Sequence, residues 1–294
     1  MKILITGNEG FVGRHFVQAL DNDENTIVGV DIKDGMDCRT YFQRYPVEKF
    51  DLVIHCAALV GGREFIEGNP IAIATDLSID AQFFNWCVGA KPRKIVYFSS
   101  SAAYPEHNQR PEFQMKLQED MIKLTGLIGA PDFTYGWAKL TGELLAEYAK
   151  EQYGLDVLVV RPFSGYGEDQ DLTYPFPAFI KRVKERQDPF VIWGDGEQVR
   201  DFIHIDDIVR GVMEAVNQDI QGPVNLGSGI PTSFNQLAEL MFTEAGWEPE
   251  AIDHKLDKPV GVAYRVADTT KMLTYFIPKL SLKDGIVRAL GGDS

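Results

Sequence analysis

Hydrophobic and polar positions change period repeatedly over the first half of the chain. Lys2 to Thr6 is a short β-rich run, and Phe11 to Leu20 has the spacing of a helix. Thr26 to Asp31, Phe50 to Cys56 and Lys94 to Ser99 read as further strands, with a helical stretch over residues 76–88 before the last of them. Tyr135 to Gln152 predicts a long helix, with Ala138, Leu144, Leu145, Tyr148 and Ala149 among its apolar positions. Leu155 to Arg161 is an almost wholly apolar strand. Strands that are apolar on both faces belong in a parallel sheet covered by helices on each side. The β-α-β alternation therefore predicts an α/β fold, a Rossmann-type doubly wound parallel sheet. After Arg161 the texture changes, as Pro162, Gly165, Gly167, Pro175, Pro177, Pro189, Gly194 and Gly196 cut the chain into short pieces. The expected division is residues 1–162 for the sheet domain and 163–294 mainly for a smaller C-terminal substrate lobe. That lobe is discontinuous, with some segments returning to the first domain.

Composition narrows the function. The 294 residues are 45% hydrophobic and 24% charged, which suits a globular protein with a large core. The formal net charge of -14 argues against nucleic acid, whose binders need a cationic surface, and against an anionic membrane. No apolar run approaches the ~20 residues of a membrane span. The chain opens directly on the strand Lys2 to Ile5, without the layout of a signal peptide. Cys38, Cys56 and Cys87 are odd in number and widely spaced. No disulfide framework and no metal site are expected, and a reducing, cytoplasmic setting is the simple reading.

The first strand runs into Thr6-Gly7-Asn8-Glu9-Gly10-Phe11-Val12-Gly13, a G-x-x-G-x-x-G loop opening a helix. Glycine lets backbone come close to a pyrophosphate, and the helix N-terminus offers free N–H groups and the positive end of its dipole. Asp31, at the end of the second strand, stands where an acid bonds the adenosine ribose and repels a 2′-phosphate. This favours NAD over NADP, although Lys33 is close enough to weaken the preference. Asp37 lies in a loop that can reach the adenine, or it is a solvated acid.

Tyr135 and Lys139 are spaced i, i+4 on the long helix and so share a face. A free phenol has a pKa of about 10, and a general base works best near the operating pH. A neighbouring ammonium and a cationic nicotinamide ring both favour the phenolate. The strand through Phe98 ends in Ser99, Ser100 and Ser101, at the edge where a parallel sheet binds ligands. Ser101 is the expected hydrogen-bond partner of the substrate hydroxyl whose proton Tyr135 takes.

Together these features resemble the extended short-chain dehydrogenase/reductase family, in its nucleotide-sugar epimerase and dehydratase branch. The resemblance runs through His55-Cys56-Ala57-Ala58, the serine triplet, Tyr135 and Lys139. It continues through Arg161-Pro162-Phe163-Ser164-Gly165-Tyr166-Gly167, with Ser164 where asparagine is usual, and through Trp193-Gly194-Asp195-Gly196 with Arg200 to Asp207. It implies cofactor contacts from Gly7, Gly10, Phe11, Val12, Gly13, Asp31, Asp37, Cys38, Ala57, Ala58, Ser99, Tyr135, Lys139 and Pro162. It implies substrate contacts from Ser101, Tyr135, Ser164, Arg200, Arg265 and, by neighbourhood, Arg63. The substrate class implied is a nucleotide-diphosphate sugar, and the assembly a homodimer. Local likeness is to GDP-mannose 3,5-epimerase and GDP-fucose synthase, through Val60-Gly61-Gly62, Tyr104-Pro105-Glu106 and Lys258-Pro259. Those enzymes carry a cysteine where this chain has Ala102, and the 4,6-dehydratases carry an Asp-Glu pair where it has Ala102 and Ala103. What remains resembles the kit of UDP-galactose 4-epimerase: NAD with Ser101, Tyr135 and Lys139. A simple reductase or dehydrogenase of the same family, or a non-catalytic NAD-binding regulator, stays open.

Overall fold

The computed structural model describes residues 1–44 and 48–291. In chain order the strands are β1 (Lys2–Thr6), β2 (Thr26–Val30), β3 (Leu52–His55), β4 (Ile95–Phe98), β5 (Val157–Pro162), β6 (Ser164–Tyr166), β7 (Phe190–Trp193), β8 (Val199–His204), β9 (Val224–Leu226), β10 (Pro231–Ser233), β11 (Ile252–Lys255) and β12 (Tyr264–Arg265). The helices are α1 (Phe11–Leu20), α2 (Cys38–Arg44), α3 (Arg63–Gly68), α4 (Ile73–Ala90), α5 (Phe133–Tyr153), α6 (Pro175–Lys184), α7 (Ile205–Asn217), α8 (Phe234–Ala245) and α9 (Leu282–Leu290). The expected strands and helices of the first half are all present, with ends displaced by a few residues. The second strand stops at Val30, because the Asp31 side chain accepts from the Lys33 N–H and turns the chain.

Six strands form a parallel sheet in the order β2-β1-β3-β4-β5-β9. Alternate residues of each strand enter different cores, as the two-residue period of a strand requires. Ile3 and Ile5 of β1, Val96 and Phe98 of β4, and Leu158 and Val160 of β5 join Phe16 of α1 and Val209 and Val212 of α7. Leu4, Ile95, Tyr97, Val157 and Val159 join Phe42 of α2, Phe83 and Cys87 of α4, and Ala146 and Ala149 of α5. Both faces are therefore buried, which is why these strands read as continuous apolar runs. Strand β9 and helix α7 lie beyond residue 163 in sequence yet complete this sheet and its cover. A third core, built on Phe176, Phe179, Phe190, Leu237, Met241 and Ile286, gathers α6, β7, α8 and α9.

The strand order reverses between β1 and β3, and the carboxyl ends of these strands open the crevice in which such sheets bind ligands. Behind it, Arg161 on β5 is 2% exposed and forms a bidentate ion pair with Glu143 of α5, at 2.9 and 2.6 Å. Ser99 donates to the same carboxylate. This cluster ties α5 to the ends of β4 and β5. Removing one partner strands a buried charge, which costs about 3–5 kcal/mol. Glu143→Gln should therefore lower the unfolding free energy by about that amount in urea titration. A loss below about 1 kcal/mol would mean that water reaches Arg161.

Candidate active site

A cavity of about 1480 Å³ runs from the glycine loop, past the end of β4, to the third core. Single-ligand pockets usually measure about 300–1,000 Å³, so there is room for a dinucleotide and a second ligand together. At one end the glycine loop fits a pyrophosphate. Gly7 has φ +71°, and a Cβ there would sit 2.9 Å from the Ala57 nitrogen. A Cβ on Gly13 would sit 2.0 Å from the Gly7 carbonyl oxygen, so only glycine lets α1 close on the turn. Phe11, Val12, Ala57, Ala58 and Pro162 line the same stretch. Asp31 lies beside it, with its two oxygens accepting from the Glu9 and Lys33 N–H groups at 3.0 and 2.9 Å. Each oxygen keeps a lone pair that a ribose hydroxyl can use. The Lys33 ammonium bonds the Glu9 carbonyl at 2.9 Å. Asp37 lines the cavity but is clamped by Arg39, whose side-chain hydrogen bond holds its carboxyl below the ordinary range. Burial pushes the neighbouring Cys38 thiol up to about 11, so it is an inert wall rather than a nucleophile.

Tyr135 and Lys139 meet on the cavity wall as their spacing requires. The Lys139 ammonium is buried, donates to the Phe98 carbonyl at 3.0 Å and stands 5.8 Å from the centre of the Tyr135 ring. Burial holds the Tyr135 phenol above its ordinary value, with Lys139 and a hydrogen bond from Ser100 pulling the other way and Asp76 adding to the rise. The ammonium thus acts in the direction expected and does not suffice by itself.

One expected site residue is displaced. Ser101 is 6% exposed and off the cavity wall. The serine that lines the cavity and bonds Tyr135 is Ser100. The reason is local: Ser100 caps a tight turn, its Oγ accepting from the Ala102 N–H at 3.1 Å, which rolls Ser101 inward. Ala102 follows on the wall and offers a methyl group. Ser99 reaches the wall, but its hydroxyl is committed to Glu143.

Behind Lys139 stand two buried acids of α4 that the sequence analysis did not single out, Asp76 and Asp80, four residues apart. Asp80 accepts from Tyr97 Oη at 2.5 Å and pairs with His55 Nε2 at 3.2 Å. Burial keeps His55 below its ordinary pKa and so neutral, which assigns its one proton to Nε2, facing Asp80. Its Nδ1 then accepts from Thr6 Oγ1 at 2.7 Å, and Thr6 Oγ1 in turn accepts from the Ala57 N–H at 3.3 Å. One hydrogen-bond chain thus links Asp80, beside Lys139, to the glycine loop. Asp76 holds the Leu59 N–H at 2.6 Å.

Farther along, Arg63, Arg200 and Arg265 all line the cavity around the single carboxylate of Asp132. Arg63 and Arg265 each bond Asp132 at 2.7 Å, and Arg265 also bonds Gln109 at 2.6 Å. Burial opposes the Asp132 charge, yet the two arginines hold it below the ordinary range. Among the described residues, Arg200 donates only to the carbonyls of Val199 and Val260. Protein surrounds it although the cavity mouth still touches it, and burial beside Arg265 and Arg63 pushes its guanidinium down to about 9. Among the described residues no acid forms an ion pair with it, although the Asp132 charge acts on it from farther off. Ser164 and Tyr174 line the wall between Arg200 and the sheet edge. Among the described residues no group of three or more His, Cys, Asp or Glu side chains is placed to hold a metal, and no helix is long and apolar enough to cross a membrane.

The sequence profile of the NAD dependent epimerase/dehydratase family matches residues 3–227. The chain belongs to this family. It is 29% identical to GDP-mannose 3,5-epimerase 1 of rice (Oryza sativa subsp. indica), over 97% of this chain and 80% of that one. It is equally similar, at 29%, to an uncharacterized UDP-glucose epimerase, YtcB, of Bacillus subtilis (strain 168), over 99% and 97% of the two chains. The crystal structure of UDP-glucuronic acid 4-epimerase from Bacillus cereus, in complex with UDP-glucuronic acid and NAD, superimposes with a TM-score of 0.79 at 26% identity, covering 97% of this chain and 96% of that one. The cofactor of the family is NAD, and the glycine cradle and Asp31 fit it.

The Asp76 carboxyl carries a pH signature. Burial raises it from an ordinary 3.8 to about 6, against the pull of Lys139. The folded protein thus binds this proton more tightly than the unfolded chain, so stability falls as pH rises from about 4 through 6. Asp76→Asn keeps an acceptor for Leu59 and removes the ionisation. At pH 8 the variant should be more stable than the parent by on the order of 3 kcal/mol, and at pH 4 nearly equal to it, in urea titrations at both values. Equal stability at pH 8 would show that Asp76 ionises without penalty.

Proposed function

We propose that the protein is a nucleotide-sugar 4-epimerase, cytoplasmic and homodimeric, in which Tyr135 is the base. The observation that carries this reading is the wall beside Tyr135. It presents Ser100, the methyl of Ala102 and the Tyr174 phenol, which burial pushes far up. Among the described residues the other candidates on this stretch are held back, as burial raises the Cys56 thiol and Asp132 is paired with Arg63 and Arg265, so chemistry at carbons 3 and 5, or loss of water, lacks an agent. One proton-transfer group suffices for oxidation and re-reduction at carbon 4.

Ser100 donates a hydrogen bond that orients the hydroxyl at carbon 4, and Tyr135 accepts its proton. The Lys139 ammonium stabilises the phenolate that this requires. NAD, when bound, takes up the hydride and gives it back. Tyr135 returns the proton to the oxygen of the opposite epimer. Arg200, in no ion pair among the described residues, suits the diphosphate, and its guanidinium can bind two oxygens at once. An anchor on the diphosphate leaves the hexose free to turn over between the two half-reactions.

The cover of the cofactor favours an epimerase over a net reductase, which must exchange its cofactor in every cycle. Residues 169–174 line the cavity as a loop tied to α1 and to the Gly62 turn. Asp169 is held by Arg14 Nε of α1 at 2.7 Å and by His15 at 3.1 Å, and the Thr173 carbonyl sits where a Cβ on Gly62 would fall, 2.2 Å away. Such a strap suits a retained prosthetic group. The free thiols of Cys38, Cys56 and Cys87 suit a reducing compartment. Trp137 and Tyr148, 43% and 48% exposed on α5, lie at helical spacing on one stripe and suit a dimer contact.

The test is turnover of UDP-, GDP-, CDP- and dTDP-hexoses with catalytic NAD, followed by chromatography of the sugar. The expected product is a 4-epimer in excess over the NAD supplied, with no net change at 340 nm. Stoichiometric NADH with an oxidised sugar would contradict the epimerase. Tyr135→Phe should reduce turnover about 10²–10⁴-fold or more, the range for a lost proton-transfer group, and Ser100→Ala should reduce it by more than tenfold through the lost orientation of the hydroxyl, about the 1.5 kcal/mol of a hydrogen bond. Ser101→Ala should leave turnover within a few-fold of the parent, and the reverse order of the two serines would refute the assignment.

A further inference from the structure

The cavity wall carries a second phenol near Tyr135, and its hydroxyl is unused. Tyr174 is half-buried and lines the cavity with Ser164, Thr173 and Pro175. Among the described residues no group hydrogen-bonds its Oη, and the atom is open rather than sealed in the core.

The chain fixes this phenol from both sides. Before it, Asp171 makes a turn: its carboxylate accepts from the Thr173 N–H at 2.8 Å and its carbonyl from the Tyr174 N–H at 3.1 Å. The Thr173 carbonyl then packs against Gly62, where a Cβ would sit 2.2 Å away. After it, Pro175 opens α6, so that Tyr174 is the N-cap residue of the helix. A proline confines the residue before it to extended backbone, and Tyr174 accordingly has φ −94° and ψ 150°. The ring thus leaves a backbone with little freedom.

The two phenols act on each other. Burial raises Tyr174, and the charges of Tyr135 and Asp171 raise it further. Lys139 pulls Tyr135 the other way. Two phenolates side by side repel, so the proton that moves is that of Tyr135, and Tyr174 keeps its O–H throughout. A fixed donor beside the reacting group, without a partner in the protein, is suited to orient a ligand.

We propose that Tyr174 orients the hexose, its O–H donating a hydrogen bond to one of the two sugar hydroxyls that flank carbon 4, on carbon 3 or on carbon 6. This rests on the nucleotide-sugar reading and deepens it, because it makes Tyr174 a determinant of which hexoses fit beside Tyr135. Since Tyr174 does not ionise, it holds the sugar without competing for the proton that Tyr135 transfers.

The test is calorimetric titration of the NAD-loaded protein with UDP-glucose, dTDP-glucose, CDP-glucose and GDP-mannose. The tightest of these is then compared with its free nucleoside diphosphate and with its 3-deoxy and 6-deoxy forms. The Tyr174 hydroxyl bonds nothing among the described residues, so Tyr174→Phe removes no contact of the fold, which an unchanged melting profile checks. The variant should bind the nucleotide sugar about three- to tenfold more weakly, the range of one hydrogen bond, and the free diphosphate within about twofold of the parent. One of the two deoxy sugars should bind parent and variant within about twofold of each other, since the missing hydroxyl and the missing phenol remove the same bond. A loss under about twofold for the nucleotide sugar, an equal loss for the free diphosphate, or an undiminished loss for both deoxy sugars would overturn the assignment of Tyr174 alone. No binding of any of these sugars by the parent would overturn the nucleotide-sugar reading with it.

Discussion

The position of one buried cation, the Lys139 ammonium, governs the arrangement of the site. An ammonium removed from water must be repaid by nearby acceptors and negative charge, or it gives up its proton. Here burial works against the charge, while Tyr135, Asp80 and Asp76 together raise the pKa of Lys139 above its ordinary value. The elements that supply these groups are thereby fixed relative to one another. Strand β4 brings the Phe98 carbonyl, α5 brings Tyr135, and α4 packs beside α5 with its two acids facing inward. Asp80 extends the arrangement through His55 and Thr6 to the Ala57 N–H at the cofactor loop. The helix that carries Tyr135 and Lys139 and the glycine loop are therefore parts of one polar network at the carboxyl edge of the sheet.

A second electrostatic arrangement lies across the cavity. The chain as a whole carries a net charge of -14, which repels an anionic substrate at long range. The local field is opposite in sign, with three guanidiniums around one carboxylate. Asp132 neutralises part of this charge and also begins α5, three residues before Tyr135. The backbone at Phe133, with φ 52°, is in a region bulky residues avoid, and the Arg63 guanidinium sits 5.9 Å from the centre of its ring. The arginine cluster and the helix that carries Tyr135 are thus joined at Asp132.

Most of the sheet was legible because both of its faces are buried. Runs such as Leu155 to Arg161 have no polar side to confuse the period, and the glycine loop follows a strand and opens a helix. The Tyr135/Lys139 pair was legible because helical spacing alone brings the side chains together. Ser100 was not, because three consecutive serines differ only in how the turn after β4 rolls, and that depends on one cap hydrogen bond. Asp76, Asp80 and Asp132 were missed because their partners lie far away in sequence. Asp132, for instance, meets Arg63 and Arg265 from opposite ends of the chain.

The central claim is that the wall beside Tyr135 supports hydride chemistry at carbon 4 and no carbon acid chemistry elsewhere on the sugar. Solvent isotope incorporation tests this directly. The enzyme, NAD and its nucleotide sugar are incubated in D2O until the epimers equilibrate, and the sugar is analysed by NMR and mass spectrometry. No deuterium should be bound to carbon at any ring position, because the hydride leaves and returns without meeting solvent and the only proton exchanged is on oxygen. Deuterium at carbon 3 or carbon 5 would contradict it, since it would require an acid or base that Ala102 cannot provide.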